Sequence, residues 1–128
     1  GIIFNVEARK KTLKIISRLK LKKGFYIPLQ QIYLTNGDLF VGVSTDFDER
    51  GLSLASQIWQ VSIETGDVIN KLNLPFPIMS FITTHDNYMI IGVSPYQKSV
   101  VFVEITTGKI LGIRENIGIT PAEVFLIP

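Results

Sequence analysis

The feature that most restricts the fold of this chain is an internal repeat, because a repeated unit must stack on copies of itself. Ile63-Glu64-Thr65-Gly66-Asp67-Val68-Ile69 aligns with Ile105-Thr106-Thr107-Gly108-Lys109-Ile110-Leu111 at an offset of 42 residues. Asp38-Leu39-Phe40-Val41-Gly42-Val43-Ser44 aligns with Tyr88-Met89-Ile90-Ile91-Gly92-Val93-Ser94 at an offset of 50. The difference of eight is what a long polar stretch, Thr45–Ser56, adds over the short Pro95–Lys98 connection. A degenerate third copy reads as Ile2–Val6, a basic turn and Thr12–Leu21. The unit is four strands, with a polar turn before the second and a Thr-Gly turn before the fourth.

Periodicity makes those segments strands. Leu13, Ile15, Ser17, Leu19 and Leu21 fall on one parity and Lys14, Arg18, Lys20 and Lys22 on the other, with Ile16 as the exception. Alternation of this kind is the pattern of a half-buried strand. A helix over Thr12–Lys23 is the rival, with Leu13, Ile16 and Leu19 on one side, but Leu21 falls off that stripe. Eleven short strands are predicted: Ile2–Val6, Thr12–Leu21, Phe25–Leu34, Asp38–Ser44, Gln57–Ile63, Val68–Leu74, Ile78–Thr83, Tyr88–Ser94, Ser99–Ile105, Ile110–Arg114 and Val124–Ile127. Pro75 and Pro77 are expected to end the sixth, since proline cannot serve a central ladder. Only three alanines occur, so the best helix former is nearly absent. The expected class is all-β.

Composition sets further bounds. The chain has 128 residues, 46% of them hydrophobic and 19% charged, the balance of one globular domain. It has no cysteine, which excludes disulfides, thiolate metal sites and a cysteine nucleophile. No run reaches the roughly 18 apolar residues a membrane helix needs, and residues 1–20 do not read as a signal peptide. The first residue is Gly1, compatible with a chain processed, trimmed or cut from a longer one. Freedom from cysteine suits a reducing cytoplasm, and an extracellular or hot habitat as well. The net charge of +2 is unevenly spread: residues 1–24 carry +7 and the remainder −5.

With the repeat in place, the chain resembles the WD-repeat and quinoprotein-like β-propeller families. The carriers are QIWQVSIETGDVI at Gln57–Ile69 and VVFVEITTGKIL at Val100–Leu111. Each looks like the end of a blade's third strand, the turn, and the start of the fourth. The resemblance implies glycines of positive φ at Gly66 and Gly108, a preceding Thr bonded back to the backbone, and Gly42 and Gly92 where blades crowd together. Trp59 is followed by Gln60, not Asp, the only histidine is His85, and tryptophan docking motifs are missing. The implied architecture is antiparallel four-stranded blades, with blade parts at about 1–24, 25–74, 75–115 and 116–128. That amounts to an incomplete ring of roughly two and three-quarter blades, where closure takes four or more. A small β-barrel or sandwich sharing the hairpin chemistry is the alternative. Further blades of a longer chain, or copies of this one, would complete the ring.

Candidate chemistry is sparse. Asp46-Phe47-Asp48-Glu49-Arg50-Gly51 is similar to a calcium loop, but Arg50 stands where the fifth position needs a ligand and Gln57 where a bidentate Glu would close the site. A solvated acidic loop is the better reading. The basic stretch Lys14–Lys23 has no interleaved aromatic residues for base stacking, so nucleic acid is disfavoured; cations on an exposed strand also guard against edge pairing. His85 and Asp86 sit together in a turn, without a second metal-ligating histidine or a nucleophile elbow around Ser44, Ser80 or Ser94. Trp59, Phe40, Phe81 and Phe102 read as core, with Trp59 as a ligand-stacking residue in second place. No nucleotide-binding glycine motif occurs.

The resulting expectation is a non-enzymatic scaffold that holds a protein partner on rim loops, with no cofactor and no metal. Asp46, Asp48, Glu49 and Arg50 are the expected partner-binding residues. The rival is a small-ligand or sugar-binding module whose ring is completed by other copies.

Overall fold

Ten strands form among the described residues of the computed structural model, which are 2–7, 10–27, 32–35, 37–47, 49–118 and 127. They are β1 Ile2–Glu7, β2 Thr12–Arg18, β3 Ile32–Thr35, β4 Asp38–Val43, β5 Ala55–Ser62, β6 Val68–Ile78, β7 Ser80–Thr83, β8 Met89–Ser94, β9 Ser99–Glu104 and β10 Ile110–Arg114. The fold is all-β, and every strand pairing is antiparallel. Two sheets have four strands each, in the orders β3-β4-β5-β6 and β7-β8-β9-β10, and β1 pairs with β2 as a separate hairpin. Chain order therefore equals sheet order, the simplest meander.

The Thr-Gly turns share the same backbone bonds. Gly66 N–H donates to the Ser62 carbonyl and Ser62 N–H to the Asp67 carbonyl; Gly108 donates to Glu104 and Glu104 to Lys109 in the same way. Gly66 has φ 77° and Gly108 φ 70°, the left-handed region that glycine enters without penalty. Thr65 and Thr107 accept from the N–H two residues on through their hydroxyls, at 3.3 and 3.2 Å. Even the bulge that follows is shared, leaving Ile69 unpaired in one ladder and Leu111 in the other.

Three segment expectations are corrected, the first being Phe25–Leu34: the strand there is Ile32–Thr35, and Tyr26 makes only an isolated bridge with Ser44. β2 stops at Arg18 instead of Leu21, and the chain then drops Leu19 into the core. Ile16, the parity exception, has no partner in the β1–β2 register, so it marks a bulge. Pro75 and Pro77 do not end β6, which runs on to Ile78. β6 lies at a sheet edge, and its regular pairing lapses between Asn73 and Ile78, so neither ring removes a ladder bond. The expected strand Val124–Ile127 lies outside the described residues except for Ile127.

The offset of 50 between the second strands is also corrected. Val41 pairs with Trp59 and Gly92 with Val101, and the third strands keep their offset of 42. Gly92 is therefore equivalent to Val41, an offset of 51, and Gly42 faces the opposite way. A slip of one residue exchanges the two faces of a strand. Gly92 is the glycine at the crowded interface.

Two apolar clusters hold the sheets together. One lies between the four-stranded sheets and joins Phe40, Ile58 and Leu72 to Phe81, Ile90, Val101 and Val103. The other covers the opposite face of the first sheet, where Leu39, Val41, Val43, Trp59 and Val61 meet Leu19. Buried on both faces, β4 is an almost unbroken apolar run (DLFVGV). Asn70 Nδ2 donates to the Ile105 carbonyl at 2.6 Å and ties the edge strand β6 to the β9–β10 turn.

Candidate binding groove on the rim

The long connection between β4 and β5 folds back on itself. Tyr26 and Ser44 exchange backbone bonds of 2.7 and 2.6 Å, Phe47 forms a bridge with Ser53, and the hydroxyls of Thr45 and Ser56 meet at 2.6 Å. Gly51, at φ 76°, makes the reversal near its tip. Loops gain precision when their backbone bonds are closed in this way, which suits them to recognition. The short β8–β9 connection, residues 95–98, emerges at the same end of the second sheet.

Between them lies a groove of about 550 Å³ lined by both loops, with Asp46, Phe47, Glu49 and Arg50 on one side and Tyr96 on the other. Pro77 of β6 is also in its wall. The Arg50 guanidinium stands over the Tyr96 ring at 5.7 Å from its centroid, within cation–π range. The Tyr26 and Phe47 rings meet at 5.0 Å with planes tilted by 52°. These rings are open to solvent: Tyr26 is 46%, Phe47 48% and Tyr96 40% exposed. Leu52 is exposed on the same loop.

Three of the four residues expected to meet a partner thus come together. Asp46, Glu49 and Arg50 line one groove, and Asp48 lies outside the described residues. Asp46 Oδ1 accepts from Phe47 N–H at 2.8 Å. Gln57, the twelfth position of the calcium-like spacing, is in β5, where it accepts from Trp59 Nε1 and donates to Asn73. It does not close the loop. Sequence reasoning missed Tyr26 and Tyr96, although an aromatic residue inside a turn such as Pro95–Lys98 is itself a signal.

The other candidates fall elsewhere. His85 and Asp86 occupy the β7–β8 turn, at the far end of β8 from Ser94; Ser80 begins β7, also at the end away from the turn. Asp86 is committed to turn geometry: Thr84 Oγ1 donates to it at 2.6 Å and Tyr88 N–H at 3.1 Å. Those donors hold its carboxyl below the ordinary value of 3.8, the Thr84 bond contributing most. Glu104 acts oppositely on Tyr88, raising the phenol through a hydrogen bond and its charge. Trp59 is buried, with the Lys71 ammonium 4.2 Å from the centre of its ring, so it is a core residue. Arg18, Lys20, Lys22 and Lys23 are exposed. Among the described residues no group of three or more His, Cys, Asp or Glu side chains is placed to hold a metal, and no helix is long and apolar enough to cross a membrane.

No protein-family model and no curated protein matches the chain. Solved structures do. Hydrazine synthase from Kuenenia stuttgartiensis is similar over 81% of this chain, with a TM-score of 0.56 and 13% identity. A Bacteroides fragilis protein designated an exported protein is similar over 90%, with a TM-score of 0.53 and 14% identity. The chain spans 29% and 28% of those two chains, under a third of either. At such identities the likeness is one of fold.

Proposed function

We propose that this chain is a segment of a β-propeller that serves as a non-enzymatic protein-interaction scaffold, taking its partner in the rim groove. Two four-stranded meanders in sheet order, stacked face to face and sharing the Thr-Gly turn before their last strands, support the propeller reading. The observation that carries the interaction reading is the groove, built from the connecting loops of two sheets and edged by the exposed rings of Phe47 and Tyr96. Aromatic residues and arginine are enriched where proteins meet. The test is selection of displayed peptides on the immobilised chain, followed by binding to a Phe47→Ala/Tyr96→Ala variant. Peptides that bind the parent and lose about tenfold or more on the variant support the reading, each such ring being worth roughly 1–2 kcal/mol as a contact. Selected peptides indifferent to both rings overturn it.

One observation favours a small ligand instead: about 550 Å³ is within the range of small-molecule pockets. A glycan array and a thermal-shift screen separate the two, since a saccharide ligand would shift the unfolding midpoint by mass action.

A further inference from the structure

We infer that the groove recognises a cationic side chain, arginine or lysine, of a peptide partner, and that Arg50 competes with this cation for the Tyr96 ring. The inference rests on the interaction reading and names the chemistry of the partner. Asp46 and Glu49 supply negative charge within the groove, and Arg50 is the one cation in its lining among the described residues. That cation is drawn against an aromatic face, 5.7 Å from the centre of Tyr96. The Tyr96 ring thus accepts a guanidinium within cation–π range. The exposed Phe47 ring, with Tyr26 packed against it, adds aromatic surface on the other wall. Ring faces attract cations through their quadrupole, and the carboxylates add directional acceptors. An incoming guanidinium or ammonium would meet Tyr96 and Glu49 by displacing Arg50, so Arg50 competes with the ligand instead of binding it.

The experiment uses three labelled nonapeptides of otherwise identical sequence, one with three arginines, one with three citrullines and one with three glutamates, titrated against the full chain by fluorescence anisotropy. Citrulline keeps the shape and loses the charge. The chain carries a net charge of +2, so non-specific attraction favours the glutamate peptide and works against the expected result. Binding of the arginine peptide about tenfold tighter than citrulline is expected, with Glu49→Gln weakening it about fivefold and Arg50→Ala tightening it by a similar factor. These two substitutions act in opposite directions at exposed positions, so misfolding cannot mimic the pair. Equal binding of arginine and citrulline peptides, no binding of the arginine peptide, or weaker binding in Arg50→Ala overturns the inference. A preference for the glutamate peptide that requires Arg50 and Tyr96 also overturns it, while leaving the groove as the partner site.

Discussion

A methyl group added at Gly92 would stand 2.9 Å from Ile78 Cδ1, 3.2 Å from its Cγ2 and 3.3 Å from Val101 Cγ1. Ile78 and Val101 are fully buried, so the added atom can be accommodated only by repacking the interface between the two sheets. Gly92→Ala is expected to cost about 1–3 kcal/mol of stability in urea unfolding. Ile78→Val removes the atom in closest conflict and should recover part of that loss, giving less than additive destabilisation in the double variant. Asp86 gives a residue-scale effect of pH. Its carboxyl is depressed in the folded chain by Thr84 and the Tyr88 N–H. The stabilisation is therefore present above the ordinary value of 3.8 and lost as pH falls through the lower folded value. Urea midpoints of the parent and Asp86→Asn are expected to converge as pH drops below about 4, with the variant lacking that part of the acid dependence. Both residues were visible in the sequence to different degrees. The turn containing Asp86 was legible from its composition, whereas Gly92's neighbour Ile78 comes from another sheet.

β6 and β10 show how one repeat unit behaves in two surroundings. They share register and bulge, so Lys71 is equivalent to Ile113 and Leu72 to Arg114. In β6, Leu72 enters the interface between the sheets; β10 has no buried residue, and Ile110, Leu111 and Ile113 are all exposed. An exposed apolar strand at a sheet edge invites pairing with another chain, and charge is the usual protection. Ile113→Lys restores the residue type of the other repeat. It is expected to change unfolding stability by less than about 0.5 kcal/mol. Scattering at raised concentration should show slower association than the parent. At this scale the strands, turns and four-strand units were legible because alternation and Thr-Gly turns are local signals. The continuation of β6 through two prolines was not, since it depends on that strand lying at an edge. The pairing of Gly42 with Gly92 was a misreading of the same origin: in a run apolar on both parities, sequence similarity cannot distinguish a shift of one residue, and only the ladder can.

For the molecule as a whole, the decisive contrast is between equivalent faces of the two sheets. Phe40 and Ile58 are completely buried beneath the second sheet, while their counterparts Ile91 and Val100 are half-buried. A further sheet on that face is the completion that the propeller proposal requires. Light scattering coupled to size exclusion is expected to give two or more times the 14.4 kDa of one chain. A strict monomer at high concentration would weigh against ring completion by copies and favour either the barrel or sandwich alternative or blades supplied by a longer chain. Three of the four rim residues expected in the sequence, Asp46, Glu49 and Arg50, do share a groove. Their partners Tyr96 and Pro77 were unreadable as such, because they arrive from the second sheet's loop and the edge strand of the first. The all-β class, the strand order along the chain and the glycine turns were written in the residues themselves, since side-chain alternation and positive φ are properties of a few neighbours. Which face of each strand is buried, and which loops meet across the rim, was decided only when the sheets stacked, because those contacts join residues far apart in the chain.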